Sequence, residues 1–265
     1  MNSKQSLTSF RVLASRRSAY ARVPFSDAPT AAIAVLQDGS WIPGVRVESA
    51  SYSLSLPALL NAYTTAVTLG RASEIAALVL SRPARPEEHV YIDQLPHGSL
   101  RLDDDDLWLH AEMSADAVPP PTSACDPTLN QDISSAQDGL AAARRKARRA
   151  YVPSSNFPVG AVFETDAQTL IPGVNVEHSD WARILCAERN ALGTLQSYGL
   201  APMQRGYLSC LNDPHGTPCG ACRQWLAELA PESHLWMERG NDDPERASVS
   251  DLLPGSFRGR ALLDS

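Results

Sequence analysis

The sequence has few cysteines, fewer basic than acidic residues and no long hydrophobic run. Five cysteines among 265 residues exclude a disulfide framework. An odd count with one Cys-x-x-Cys pair is instead typical of metal or redox chemistry in a reducing compartment, so we expect a cytoplasmic protein. Apolar runs such as residues 31–36 are far shorter than the roughly 20 residues that span a bilayer, so no membrane partner is expected.

The charge balance also argues against nucleic acid as a partner. The net charge is −7 and the isoelectric point is about 5.4, whereas binding to phosphates needs a basic surface. The 43% hydrophobic content excludes wholesale disorder, and the length allows one large domain or two small ones. Residues 1–23 are basic and serine-rich, as in an organellar transit peptide, but an internal repeat assigns most of them to the folded chain.

Segments from the two halves of the chain match in the same order. The matching pairs are Gly44–Ala50 with Gly173–Ser179, at an offset of 129, Arg17–Tyr20 with Arg148–Tyr151, and Asp93–Pro96 with Asp251–Pro254. Three ordered matches predict two copies of one structural unit. We place the first copy at residues 1–113 and the second at residues 136–265. The Pro- and Ser-rich residues 114–135 have the composition of a linker.

Hydrophobic periodicity in the second copy predicts alternating helices and strands, and therefore an α/β layered domain. The predicted helices are Gly139–Tyr151, Ile184–Leu195 and Cys219–Leu229, and the predicted strands are Val159–Phe163, Thr169–Val176 and Gly206–Leu211.

Three cysteines of the second copy form a candidate zinc site. Cys186, Cys219 and Cys222 all fall at predicted helix starts, where the partial positive charge favours a thiolate. Three protein ligands are typical of catalytic zinc and four of structural zinc. Cys210 is a possible fourth ligand, although its alternating strand context favours a packed thiol.

Glu188 lies two residues after Cys186 at the same helix start. A carboxylate there can reach the open coordination position of zinc without being a ligand itself. That is the place of a general acid/base beside a metal-activated water. The alternative is an exposed glutamate favoured by the helix dipole.

These motifs resemble the cytidine deaminases. The resemblance rests on Cys186-Ala-Glu-Arg189 and Pro218-Cys-Gly-Ala-Cys-Arg-Gln224, and it extends over nearly all of the second copy. It implies two tandem three-layer α/β/α domains, each a mixed sheet with helices on both faces. It also implies zinc-dependent hydrolysis of cytidine or deoxycytidine to uridine or deoxyuridine plus ammonia, in pyrimidine salvage.

The resemblance implies a role for each matching residue of the second copy. Cys186, Cys219 and Cys222 would hold one zinc ion per chain, and Glu188 would shuttle protons. Asn175 and Glu177 would bind the ribose 3′-hydroxyl, Phe157 would pack on the pyrimidine, and the backbone near Ala187 would contact the base edge. Arg189 would offset the negative charge that three thiolates leave on a divalent ion.

The first copy has lost the motifs for this chemistry. Arg46, Pro57 and Leu59 stand where the second copy has Asn175, Cys186 and Glu188, so we expect a degenerate, non-catalytic repeat. It keeps a Glu48-Ser-Ala-Ser-Tyr52 segment that resembles one the family's subunits lend to a neighbouring active site. This predicts that Ala50 and Tyr52 complete the second copy's pocket, and that a homodimer mimics a tetramer.

Two other functions stay open at the level of sequence. The same chemistry could serve a modified aminopyrimidine nucleoside of the blasticidin type. Alternatively, the chain could be a non-enzymatic binding protein in which Cys210 closes a structural zinc site.

Overall fold

The computed structural model describes residues 3–97, 99–179, 185–240, 242–259, 262 and 263. The first half forms one sheet with its helices. Its helices are α1 (Ser3–Arg17), α2 (Ala58–Leu69) and α3 (Pro86–Ile92), and its strands are β1 (Ala31–Leu36), β2 (Trp41–Val45), β3 (Ile75–Leu80), β4 (Leu100–Asp104) and β5 (Leu107–His110).

The second half forms a sheet of its own. Its helices are α4 (Ala136–Ala147), α5 (Ala187–Tyr198), α6 (Gly220–Leu229) and α7 (Val249–Leu252), and its strands are β6 (Val159–Thr165), β7 (Leu170–Val174), β8 (Met203–Cys210), β9 (His234–Met237) and β10 (Glu245–Ser248). All six predicted elements are present with shifted ends. The helix predicted from Ile184 begins at Ala187, and Ile184 itself lies outside the described residues.

Each sheet has helices on both faces, because its central strands are apolar on both sides. In β1, Ile33 and Val35 pack toward α1, while Ala32 and Ala34 pack toward α2. Alternate residues of a strand point to opposite faces, so six consecutive buried residues supply two core layers. The three-layer α/β/α architecture is confirmed in both halves.

The two sheets differ in strand direction. The second sheet has the order β10-β9-β8-β6-β7 and is mixed, because the α6 crossover makes β9 parallel to β8. The first sheet has the order β2-β1-β3-β5-β4, and its four pairings are antiparallel, unlike the expected mixed sheet. There the chain passes first to the edge as β4 and then returns as β5, which reverses the strand beside β3.

The halves share buried core instead of meeting through a polar linker. Val45 and Leu56 of the first half belong to the same hydrophobic cluster as Phe163 and Leu192 of the second half. Helix α2 packs on α5, so α2 is buried on nearly every side. The segment expected to be a linker is also attached to the fold: the Trp41 amide donates to the Ser123 carbonyl at 3.1 Å.

The repeated Pro-Gly pair marks a close approach of helix to strand. A Cβ atom on Gly173 would lie 2.7 Å from the Ala191 amide nitrogen and would overlap the Ala187 carbonyl. A Cβ atom on Gly44 would lie 2.8 Å from the Cα of Ala62 in the first half. Glycine at both positions therefore lets α5 sit on β7 and α2 on β2. None of the helices in the described ranges has the length and apolar character of a bilayer-spanning segment.

Candidate active site

Three thiols converge where two helices of the second half begin. Cys186 is the N-cap of α5, Cys219 is the N-cap of α6, and Cys222 lies in the first turn of α6. Pro218, which precedes Cys219, favours the start of α6 at this point. Free amide groups at a helix N-terminus stabilise negative charge, so this arrangement suits thiolates.

The sulfur geometry fits a zinc ion. The Sγ of Cys219 lies 3.6 Å from the Sγ of Cys186 and 3.6 Å from that of Cys222. Sulfurs at tetrahedral corners about 2.3 Å from a zinc ion would be about 3.8 Å apart. Hydrogen bonds from the other two thiols lower the pKa of Cys219, while burial raises the pKa of Cys222. The three residues therefore have the donor type and spacing that zinc requires.

Cys210 is not part of this group of thiols. The sulfur atoms of Cys186, Cys219 and Cys222 all lie within 4.8 Å of one another, and the sulfur of Cys210 is not in that group. It ends strand β8 as a buried side chain, and burial raises its pKa to about 12. The neutral, packed thiol expected at this position is thus confirmed, and the described residues supply three sulfurs to the cluster.

Glu188 is a buried carboxylate beside the thiols. Glu188 lies in the first turn of α5 and is only 3% exposed. Burial raises its pKa to about 7, a value at which a carboxyl group both takes up and releases protons near neutrality. The alternative of an exposed glutamate that only serves the helix dipole is therefore wrong.

Glu188 and two of the thiols line a cavity of about 340 Å³. The cavity also contains four further residues that the sequence analysis singled out: Phe157, Asn175, Glu177 and Cys210. Its other lining residues are Ser155, Val159, Leu208 and Thr217, which sequence reasoning missed. Strand alternation could have indicated Leu208, because it lies two residues from Cys210 on the same face.

The Asn175 and Glu177 side chains hold the cavity's backbone in place. The Asn175 Oδ1 accepts from the Val159 amide at 2.7 Å, and its Nδ2 donates to the Phe157 carbonyl at 2.9 Å. The Glu177 carboxylate accepts from the Ser154 amide at 2.7 Å and from the Ser155 amide at 3.2 Å. Each side chain keeps unused hydrogen-bonding capacity toward the cavity.

Ala187 is fully buried at the first helical position of α5. Its amide is one of those that find no acceptor within a helix, and Ala187 is not among the residues that line the cavity.

Arg189 makes a contact that the sequence did not indicate. Its Nη2 donates to the carbonyl of Leu54, in the first half, at 2.6 Å, and its guanidinium lies over the Trp225 ring. The residue is 8% exposed, so its charge is buried close to Glu188. The expected role of Arg189, to offset the negative charge of the thiolates, stays a prediction.

Ala50 and Tyr52 do not reach this cavity within one chain. The Ala50 amide donates to Glu228 Oε2 at 3.0 Å, and Tyr52 is 89% exposed. Glu228 also accepts from the Ser49 hydroxyl at 2.7 Å, so α6 holds this segment on the outside of the second half. Their expected contribution to the pocket therefore does not occur within the chain.

In the first half, ion pairs stand where the second half has its cavity. Arg46 donates to Glu48 at 2.9 Å, at the positions equivalent to Asn175 and Glu177. Glu88 occupies the third position of α3, as Cys222 does in α6. The Arg82 guanidinium binds both oxygens of Glu88 at 2.8 Å.

The Arg82 guanidinium also reaches the start of strand β1. Its Nε donates to the Thr30 hydroxyl at 3.2 Å, and Thr30 is the counterpart of the cavity residue Val159. Arg82 thus links the start of helix α3 to the neighbouring strand. The start of helix α3 is therefore held by a guanidinium–carboxylate pair, whereas the start of α6 carries two thiols.

Comparison with known proteins gives matches to one family. Residues 133–237 match the model of the cytidine and deoxycytidylate deaminase zinc-binding region. A cytidine deaminase from Sporosarcina psychrophila is 39% identical over 122 residues, which are 44% of this chain and 88% of that protein. A cytidine deaminase from Mycobacterium tuberculosis is 39% identical over 119 residues, which are 43% of this chain and 84% of that protein.

Solved structures include a similar protein as well. The crystal structure of cytidine deaminase from Burkholderia pseudomallei has 34% sequence identity and a TM-score of 0.44, and the match covers 46% of this chain and 99% of that one. The segment matched by the family model contains Glu188 and all three clustered cysteines.

Proposed function

The chain belongs to the cytidine deaminase family, and we propose that its second half catalyses the zinc-dependent hydrolytic deamination of cytidine, deoxycytidine or both. The products are uridine or deoxyuridine and ammonia. One observation carries this proposal: the buried Glu188 carboxylate and two of the three clustered thiols, Cys186 and Cys219, line one cavity of nucleoside size. We assign residues 136–265 as the catalytic domain and residues 1–113 as a degenerate copy, with residues 114–135 between them.

Cys186, Cys219 and Cys222 would hold one zinc ion per chain. When bound there, zinc makes a water molecule acidic enough to act as a nucleophile near neutral pH. Three protein ligands leave room for that water, as in catalytic sites, whereas the separate position of Cys210 disfavours a closed structural site.

Glu188 would move the protons of the reaction. It takes a proton from the attacking water and donates it to N3 of the cytosine ring while the oxygen adds to C4. It then takes the second proton of that water and delivers it to the amino group, so that ammonia leaves. Burial, which raises the pKa of Glu188, suits a carboxyl group that must both take up and release protons.

The other cavity residues would position the nucleoside. Asn175 and Glu177 face the cavity with unused hydrogen-bonding capacity, which suits the ribose 3′-hydroxyl. Phe157 offers an apolar ring for the pyrimidine, and the backbone near Ala187 would contact the base edge. Arg189 would offset the negative charge that three thiolates leave on a divalent ion.

We further propose a homodimer in which Ala50 and Tyr52 complete the pocket of the second chain. The 89% exposure of Tyr52 supports such an assembly, because the ring lies outside the core of its own chain. The reaction belongs to pyrimidine salvage, and we place it in the cytoplasm, where thiols stay reduced.

The direct test measures ammonia release from cytidine and deoxycytidine by the zinc-loaded chain. Glu188→Gln keeps the shape of the side chain but cannot accept a proton, so turnover should fall at least about 100-fold. Glu232→Gln, at an exposed position, is the matched control and should leave turnover unchanged. Equal activity of Glu188→Gln and wild type would contradict the assignment. Activity on neither nucleoside by a folded, zinc-loaded chain would favour a modified aminopyrimidine nucleoside as substrate.

A further inference from the structure

A backbone carbonyl of the degenerate half lies between the two helices that carry the zinc ligands. Leu54 ends the short 3-10 segment Tyr52–Leu54, and its carbonyl oxygen accepts two hydrogen bonds from the catalytic half. Arg189 Nη2 donates to it at 2.6 Å, and Trp225 Nε1 donates to it at 3.2 Å. One acceptor thus serves two donors on different helices.

Both donors follow a zinc cysteine by one helical turn. Arg189 lies three residues after Cys186 on α5, and Trp225 lies three residues after Cys222 on α6. Residues three apart lie on the same side of a helix. The Leu54 carbonyl therefore bridges the two helix starts on which the thiols are mounted.

The position of the Arg189 charge depends on these contacts. Its guanidinium carbon lies 5.0 Å from the centre of the Trp225 ring, and within the described part of the chain its Nε has no hydrogen-bond partner. A buried guanidinium needs acceptors to offset its lost hydration. The Leu54 carbonyl and the indole face supply that environment, and the carbonyl belongs to the half without a metal site.

We propose that the Leu54 carbonyl and Trp225 are positioning groups for the zinc site, and that the degenerate half is retained because it holds Arg189 in place. The inference rests on the proposed function of Cys186, Cys219 and Cys222 as zinc ligands. Arg189 lies one helical turn after Cys186, and a positive charge held there offsets the negative charge that three thiolates leave on a divalent ion. Loss of the Leu54 contact weakens zinc binding even though Leu54 touches neither metal nor substrate.

The test measures zinc affinity of the full chain by competition with a chromophoric chelator. Trp225→Phe removes the indole N–H but keeps an aromatic ring under Arg189. Loss of one such hydrogen bond should weaken zinc affinity about three- to tenfold and lower kcat with little change in KM. Trp236→Phe, on β9 of the same half, is the matched control and should leave zinc affinity unchanged.

A backbone change tests the carbonyl itself. Incorporation of the α-hydroxy analogue of Ser55 turns the Leu54 carbonyl into an ester, which is a weaker acceptor, and removes the bond from the Ser55 amide to Tyr52. The same change at Leu54 removes the bond from its amide to Ser51 but leaves the Leu54 carbonyl an amide. Only the ester at position 55 should weaken zinc binding.

Unchanged zinc affinity in both Trp225→Phe and the Ser55 ester would overturn the positioning role. The readout does not need turnover, so failure of this inference and failure of the proposed function are distinguishable. A chain that deaminates no nucleoside but loses zinc affinity in both variants would contradict the proposed function and uphold the positioning role.

Discussion

The hydroxyl groups of Thr65 and Thr194 lie 2.9 Å apart where helices α2 and α5 cross, and their positions differ by the repeat offset of 129. The neighbouring asparagines are related in the same way. Asn61 Nδ2 donates to the carbonyls of Val45 and Gly193, and Asn190 Nδ2 donates to their counterparts. Reciprocal contacts of this kind are those of an interface with two-fold symmetry. Residues that are related by the offset of 129 therefore form the junction between the halves.

The threonine pair should show energetic coupling across this junction. Thr65→Val and Thr194→Val should each lower the free energy of unfolding by about 1 kcal/mol, because each leaves a buried hydroxyl with one partner fewer. The double variant should cost less than the sum, since it leaves neither hydroxyl. Denaturant unfolding of the four proteins measures the coupling, and Thr64→Val, whose hydroxyl bonds only within its own helix, is the control. Strict additivity of the Thr65 and Thr194 changes would contradict the coupling.

The Arg82–Glu88 pair should stabilise the first half without any metal. Glu88→Gln leaves Arg82 without its charged partner and should lower the free energy of unfolding by about 1–3 kcal/mol. The exposed neighbour provides the matched control, Glu87→Gln, which should change stability by less than about 0.5 kcal/mol. Denaturant midpoints measure both effects, and zinc analysis should find the same content in all three proteins. A drop in zinc content with Glu88→Gln would argue against a metal-free role.

Two cysteine substitutions should separate the metal ligands from the packed thiol. Cys222→Ser should reduce zinc affinity by more than the 10–100-fold that is typical of losing a residue hydrogen-bonded to a ligand, because it removes one of the three proposed ligands. Cys210→Ser should retain zinc, since its sulfur is outside the three-thiol cluster. Chelator competition measures both affinities. Loss of zinc from Cys210→Ser would revive a four-cysteine structural site.

Gly173 should control the position of the α5 helix. Gly173→Ala places a methyl group against the Ala187 carbonyl, which pushes away the helix that carries Cys186 and Glu188. We expect a loss of about 1–3 kcal/mol in unfolding free energy, together with weaker zinc binding. Gly220→Ala, at the first residue of α6 and next to Cys219, is the control, because a Cβ there meets no atom within 4 Å. If both variants had the same stability and zinc affinity, the close approach of α5 to β7 would not control either property.

Asn175 should recognise the ribose 3′-hydroxyl. Asn175→Ala should raise KM for cytidine about tenfold, and it should raise KM for 3′-deoxycytidine much less, because that substrate lacks the hydroxyl. Steady-state kinetics of wild type and Asn175→Ala with both nucleosides give four KM values, which measure the coupling between the Asn175 side chain and the 3′-hydroxyl. An equal effect on the two substrates would assign Asn175 to holding the Val159 and Phe157 backbone alone.

Local sequence patterns were sufficient to predict the α/β class, a helix that begins close to Cys186 and another that begins at Cys219. They were sufficient because capping residues, hydrophobic period and motif spacing act over a few residues. The place of Glu188 in the first turn of that helix was also predictable, because it lies two residues after Cys186 in the chain. These features depend on neighbours in the chain.

Other features depend on contacts between residues far apart in the chain. The all-antiparallel first sheet follows from the path of the chain through β4 and β5, and strand periodicity does not encode that path. The Arg82–Glu88 pair and the exposed setting of Tyr52 likewise appear only once the elements are packed. The Leu54 carbonyl carries no sequence signal, because every residue has one. The sequence by itself determined which residues have the chemistry of a zinc deaminase; only the tertiary structure decided that both halves build its surroundings, because such contacts depend on packing across more than a hundred residues of chain.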